Sequence, residues 1–493
     1  VRPRPARILG ATLALVAALA GGCATAPDPR HMRFPPVPLP QPEVTRVTLD
    51  NGLALYLLPD RSLPRVHVAA LIRAGSAWEP ADRVGTYALA GTLMRDGGAG
   101  DLDPDAFDEA LAFAAIRMTS HVGTESAGAA MDTLTRHLPE ALARFADMLR
   151  RPRFDPARLE TLKARRIEGI RRRDDNPASV AARLFARTLY GPDHPFAREA
   201  EPEDIARITR DDLVAFHDAW YHPNNTALGI TGDFDVPDMV AAVRRVFGDW
   251  APGPVPAAEP PAVPATERRR VRFVHKETDQ VAIRIGQVSI RRDDPDVYAL
   301  DLANDLLGGR GFMSRLFQRV RTREGLAYGI GSALSPGMGH PGVFRIATRT
   351  RPDKVRQAVA AMLEEVARMR DAPVPPDEFA ASREAFLNSF VFASATPARV
   401  VSRRMWYDYA GLPADELTRL HDRTLATTPA DVRDVMRRRL DPDRMDIVAV
   451  GDREVLAEAL APFGDVEEVP WGPEAATAVA AGPAAGAAGA GGG

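Results

Sequence analysis

Apolar and polar positions first alternate regularly near Glu43. Val44 to Leu49 has a period of two, Asp50-Asn51-Gly52 supplies a tight turn, and Leu53 to Leu58 alternates again, which predicts a hairpin. Val66 to Arg73 reads as a third strand and Ile116 to Val122 as another. Elsewhere the apolar spacing shifts to the three-to-four-residue rhythm of half-buried helices. It does so over Arg83–Arg95, Pro104–Ala115, Leu134–Leu149, Pro156–Arg173 and Pro177–Leu189. Helix Asp211–Tyr221, strand Ala227–Gly232 and helix Val236–Phe247 close the series.

Residues 251–265 then break the pattern with Pro, Ala and Gly and read as a linker. Beyond them the pattern begins again. Thr209-Arg210-Asp211-Asp212-Leu213, Tyr221-His222-Pro223 and Thr231-Gly232-Asp233 match Thr428-Pro429-Ala430-Asp431-Val432, Leu440-Asp441-Pro442 and Val450-Gly451-Asp452 at a constant spacing of 219. Phe154-Asp155-Pro156 mirrors Val374-Pro375-Pro376 at 220. Helix start, proline, strand and Gly-Asp recur in order, which argues for duplication of one unit. The predicted fold class is α+β: two homologous domains, each a mostly antiparallel sheet packed against helices. Their expected bounds are 43–250 and 269–471, with a linker over 251–268 and an Ala/Gly tail over 472–493.

Composition narrows the class. A chain of 493 residues with 45% apolar and 26% charged residues has ordinary globular content for several domains. A net charge of −3 provides no field for nucleic acid, and none is expected as a partner. The single cysteine, Cys23, excludes an internal disulfide and a Cys-based zinc site. It follows a basic segment with Arg2, Arg4 and Arg7, an apolar run from Ile8 to Ala20, and Leu19-Ala20-Gly21-Gly22. Residues 1–22 therefore resemble a bacterial lipoprotein signal with Cys23 as the lipidated residue; ordinary secretory cleavage after Ala24-Thr25-Ala26 is the other reading. The proline-dense stretch 23–42 reads as a tether. The expected location is the periplasmic face of a bacterial membrane, with the outer membrane as the expected one.

Several motifs share one resemblance. They are Asp50-Asn51-Gly52-Leu53, Arg73-Ala74-Gly75-Ser76-Ala77-Trp78-Glu79-Pro80, Pro152-Arg153-Phe154, Asp174-Asp175-Asn176-Pro177, Tyr221-His222-Pro223-Asn224-Asn225, Leu307-Gly308-Gly309 to Phe317, and Val320-Arg321 to Gly325-Leu326-Ala327-Tyr328. Across about Glu43 to Trp471 the chain resembles the insulinase/pitrilysin family of zinc metallopeptidases, in its shorter two-domain, mitochondrial-processing-type form. Active members carry His-x-x-Glu-His on the helix after the glycine matching Gly85. Two imidazoles one turn apart bind zinc, and the glutamate activates the metal-bound water. Here the first His falls at Ala88, the Glu at Gly91, the second His at Thr92 and the distal glutamate at Gly169. Glu168 is one position away, about 100° around a helix. Of the ten histidines only His217 and His222 lie near each other, five apart and on different helix faces, while His121 sits alone on a strand. No zinc is expected in this chain. Gly308-Gly309-Arg310-Gly311 lacks the Lys-Ser/Thr of a phosphate loop and reads as a mobile or close-approach segment.

In family members an Arg and a Tyr seven residues apart bind the substrate carbonyl and the oxyanion formed from it. Arg321 and Tyr328 hold that spacing. In isolation Arg321 would read as a surface salt-bridge residue and Tyr328 as strand-edge packing. The resemblance implies a non-catalytic subunit that binds peptide and completes the site of a partner carrying His-x-x-Glu-His and zinc. The alternatives are a stand-alone peptide-binding or structural protein of the same fold, and an autonomous peptidase.

Overall fold

Backbone pairing along the alternating segments builds two sheets of six strands. The computed structural model describes residues 41–472 apart from 258, 260 and 265; the expected signal, Cys23, most of the tether and the tail beyond Gly472 lie outside the described residues. The first sheet contains β1 (Thr45–Thr48), β2 (Ala54–Pro59), β3 (Arg65–Ile72), β4 (Arg117–Val122), β5 (Ala127–Leu134) and β6 (Thr226–Gly232), in the order β1-β2-β6-β3-β5-β4. The second contains β7 (Val271–His275), β8 (Val281–Val288), β9 (Ala327–Ser335), β10 (Val343–Thr350), β11 (Asp446–Gly451) and β12 (Val466–Glu468), in the order β12-β7-β11-β8-β10-β9.

The two orders coincide when β2, β6, β3, β5 and β4 are matched to β7, β11, β8, β10 and β9. β2/β6 and β7/β11 are parallel in both lobes, and the strands from there to β4 or β9 pair antiparallel. Only the outermost strand differs: β1 is the antiparallel hairpin partner of β2, whereas β12 arrives from the chain end and lies parallel to β7. The duplication extends to helix starts. Thr209 and Asp212 cap helix Arg210–Trp220 reciprocally, and Thr428 and Asp431 do the same for helix Pro429–Arg439. Each box satisfies orphan N–H groups that the first turn leaves open.

β5 is a strand the periodicity does not announce. Its Ala-Gly-Ala-Ala start has weak strand preference, but pairing with β3 on one side and β4 on the other places it in the sheet. The helix expected from Leu134 consequently begins at Leu138.

Each sheet packs one face against helices of its own lobe. The other face receives a helix from the opposite lobe. Helix Pro177–Tyr190 lays Val180, Ala181, Leu184 and Phe185 against Val274, Ala282, Val448 and Val450 of the second sheet. Its counterpart 220 residues on, Pro397–Ala410, packs Val401 and Met405 on Tyr56 of the first sheet. The exchange explains why β6 and β11 are buried almost throughout: strands covered on both faces need apolar residues at successive positions.

Polar contacts fasten the same junction. His340 Nε2 lies 3.0 Å from Glu125 Oε1, and Trp471 Nε1 donates to Asp174 Oδ1 at 2.9 Å. The charged run Arg171–Asp175 pairs with residues outside itself. Arg172 pairs with Glu168, Arg173 with Glu201, and Asp174 with Arg183. Two linker residues touch the first lobe: Trp78 Nε1 donates to the Glu259 carbonyl and His194 Nε2 to that of Ala262, both at 2.9 Å. Among the described residues no helix is long and apolar enough to cross a membrane.

Candidate functional site

The helix Thr86–Asp96 starts from Gly85, whose φ of 99° is open to glycine at little cost. Its exposed N–H groups are met by a side chain outside the helix. Glu79 accepts from the backbone N–H of Gly85 at 2.9 Å and of Tyr87 at 2.6 Å. Burial raises the Glu79 pKa, opposed by those N–H donors and by Arg198. Trp78 packs on Trp220, whose indole N–H donates to the Tyr87 hydroxyl at 3.1 Å. The Trp78-Glu79 pair is thus a helix-fastening device, a role sequence reasoning did not assign to it.

The four positions at which the resemblance places metal ligands fall into two kinds of surroundings. Ala88 and Gly169 face each other across a cavity of about 330 Å³, also lined by Glu79, Arg166, Arg173, Arg198 and Glu199. A Cβ built on Gly169 meets nothing within 4 Å. Gly91 is the opposite case, because a Cβ there would lie 2.5 Å from the Val122 nitrogen and 2.8 Å from the His121 carbonyl carbon. Ser120 Oγ donates to the Gly91 carbonyl at 2.6 Å, holding β4 against the helix. Thr92 turns its hydroxyl back onto the Ala88 carbonyl at 3.2 Å. Glu168 is engaged with Arg172 at 2.6 Å. This donor set does not fit zinc: the four positions offer a methyl group, two glycines and a hydroxyl engaged by the Ala88 carbonyl, and the cavity at Ala88 and Gly169 is lined by arginines.

Opposite surroundings at two glycines make a direct comparison. Gly169→Ala relieves a helix-interior glycine without a clash, so it is expected to stabilise the fold by about 0.5–1 kcal/mol, read as a rise in urea midpoint at constant m-value.

The three histidines singled out in the sequence are held by local contacts. His217 Nε2 donates to the Leu149 carbonyl at 2.9 Å and stacks on Tyr221, and burial lowers its pKa. His222 packs beside Gly253, and His121 lies against Gly128 in β5. Among the described residues no group of three or more His, Cys, Asp or Glu could hold a metal.

Arg321 and Tyr328 are brought together by the fold. Arg321 lies on the wide π turn Phe317–Arg323, and Tyr328 on β9, the edge strand of the second sheet. The guanidinium carbon sits 4.7 Å from the Tyr328 ring centre, 4.8 Å from Phe317 and 5.5 Å from Phe312. Instead of a surface salt bridge, Arg321 has three aromatic faces. Tyr328 is 84% exposed, and its neighbours Phe312 and Met313 are 67% and 73% exposed. None of these residues lines the cavity between Ala88 and Gly169.

The glycine segment at 308–311 spans a second π turn, Asp305–Gly309, and the short turn Gly311–Met313. Beneath it, helix Val297–Asn304 carries Asp301, which shares Arg292 with buried Glu416 at 3.4 and 3.5 Å. Burial pushes the Asp301 carboxyl up to about 6, with Arg292 opposing and Glu416 and Asp305 adding to the rise. A raised folded value means the fold holds this proton more tightly than the unfolded chain does. That stabilisation is full below about pH 4 and is lost as pH rises through about 6. Asp301→Asn is therefore expected to gain stability relative to the parent between pH 4 and 7, by about 1–2 kcal/mol, in paired urea titrations.

The paired lobes and the vacated helix define a two-lobed, duplicated peptidase-type scaffold without its metal ligands. A family model described as the peptidase M16 inactive domain matches residues 207–386. An uncharacterized zinc protease of Streptomyces coelicolor is 27% identical over 412 residues, covering 80% of this chain and 86% of that protein. The non-peptidase homolog YmxG of Helicobacter pylori is 23% identical, covering 54% of this chain and 62% of its own length. The crystal structure of a peptidase M16 inactive domain from Pseudomonas fluorescens matches with a TM-score of 0.75 at 24% identity, covering 83% of this chain and 98% of that one. The chain is thus similar in its fold to M16 peptidase proteins, the insulinase type that its motifs resemble, and residues 207–386 match that family's inactive-domain model.

Proposed function

We propose that this chain is a non-hydrolysing, peptide-binding subunit that completes the active site of a zinc-bearing M16 partner. The observation that carries the proposal is the Arg321–Tyr328 pair. Among the described residues the guanidinium is held only by aromatic faces, leaving its N–H donors unspent, and the phenol beside it is exposed on an edge strand. Such donors serve a carbonyl or developing oxyanion brought by another molecule. An edge strand also offers unpaired backbone groups to an extended peptide.

The sealed Gly91 position supports the absence of hydrolysis by this chain alone, as does a relative named a non-peptidase homolog. A relative named a zinc protease is compatible with this reading, in which the zinc belongs to the partner. The sequence around Cys23 supports an exported lipoprotein on the periplasmic face of a membrane, outside the described residues.

The test is reconstitution. The mature chain is purified alone and with a co-encoded chain bearing His-x-x-Glu-His, then assayed for bound zinc and for cleavage of unstructured peptides. Cleavage by the pair, with zinc in the partner only, is the expected result. Zinc-dependent cleavage by this chain alone would overturn the proposal, as would a partner that is equally active without it.

A further inference from the structure

The cavity left by the lost ligands has acquired a charge of its own. Arg166, Gly169 and Ile170 line it from one face of helix Pro156–Arg171, and Arg173 joins them from the turn just past the Arg172 C-cap. The face that carries the distal zinc ligand in active relatives here presents a gap flanked by two arginines. Arg198 closes the cavity from the loop opposite, donating to the Glu79 carbonyl.

The acidic residues in the wall do not cancel this charge equally. The Glu79 carboxylate is 5% exposed and turned into the helix N-terminus, where Gly85 and Tyr87 use both its oxygens. Glu199 lies 3.3 Å from both Arg183 and Arg187. Arg173 spends its donors on Glu201 and the Ala200 carbonyl, but Arg166 has neither a hydrogen-bond nor an ion-pair partner among the described residues. A free guanidinium therefore borders a cavity of about 330 Å³ in which nothing approaches Gly169. Its planar donor fork suits an oxyanion held by two parallel hydrogen bonds, and the oxyanion that an unmodified peptide carries is a carboxylate.

We infer that this cavity binds a carboxylate of the peptide, either an Asp or Glu side chain or the C-terminal carboxylate. The inference rests on the peptide-binding reading and adds a selection rule to it. Where active relatives keep a metal cation to polarise a carbonyl and water, this chain keeps organic cations that anchor an acidic group. The cavity holds a residue for positioning and leaves chemistry to the partner.

Four labelled unstructured peptides test this on the full mature chain without any partner. One pair differs by a single Glu→Gln, the other by a free or amidated C-terminus. Wild-type protein is expected to bind one acid form tenfold or more tightly than its neutral match, and the responding pair identifies the source of the carboxylate. Arg166→Gln, on an exposed and unpaired residue, should remove most of that preference while leaving neutral-peptide binding unchanged. Gly169→Glu, which has room for its side chain, should supply the carboxylate internally and abolish the preference too.

Equal binding of both members of each pair overturns the inference, as does no binding of any peptide. A preference that survives both Arg166→Gln and Gly169→Glu also overturns it. The partner-activation assay is independent. Activation without acid preference removes only the carboxylate site, and acid preference without activation removes only the subunit reading.

Discussion

Restoring the family's glutamate by Gly91→Glu is expected to abolish folding of the first lobe. A Cβ at residue 91 would lie 2.5 Å from the Val122 nitrogen, before any further atom is added. The obstacle is backbone, fixed by β4 pairing with β5 and by the Ser120 hydrogen bond to the Gly91 carbonyl, so it cannot step aside as a side-chain tip could. Overpacking of this kind commonly costs about 1–3 kcal/mol, and a carboxylate forced against a paired strand adds burial of a charge without a partner. A total of about 4 kcal/mol or more is expected, a large share of a typical domain's stability. Loss of cooperative unfolding, or recovery only as aggregate, is the outcome to look for. If Gly91→Glu folded with a parental urea midpoint, the helix would not be sealed against β4. The same substitution at Gly169 meets open space, which makes position rather than residue type the variable.

Arg321→Ala is expected to lower the rate of the reconstituted pair by about 10²- to 10³-fold, equivalent to about 2.7–4 kcal/mol of transition-state stabilisation. The loss should fall on kcat more than KM, because the donor is proposed to act on charge that develops during reaction. Stability should change much less. Arg321 has no ion pair among the described residues to lose, and removing its contacts with Phe312, Phe317 and Tyr328 should cost about 0.5–1 kcal/mol. Arg321→Lys should recover little, since an ammonium lacks the planar fork. An unchanged kcat in the Arg321→Ala pair would remove this residue from the mechanism and leave its aromatic cage as packing.

Local rules made much of the scaffold legible. The hairpin at Asp50-Asn51-Gly52, the proline-started helices and the capping threonines depend on neighbours a few residues away. They could therefore be read from short windows. β5 could not, because Ala127 to Ala130 carry little strand preference and owe their state to β3 and β4. The Glu79 cap was also hidden: it reaches Gly85 and Tyr87 across six and eight residues, outside the usual capping spacing.

The sequence by itself determined the duplication, the resemblance to a zinc-peptidase scaffold, the non-ligating residue types at Ala88, Gly91, Thr92 and Gly169, where that resemblance places ligands, and the spacing of Arg321 and Tyr328. All of these are properties of residue identity and order. The tertiary structure decided what each vacancy became. Gly91 is closed by a strand that follows it by some thirty residues, while Gly169 opens on arginines contributed by a helix and a distant loop. It also decided that the two lobes exchange the helices Pro177–Tyr190 and Pro397–Ala410. The physical reason is the same in each case: sterics and charge act between atoms close in space, and folding sets those distances.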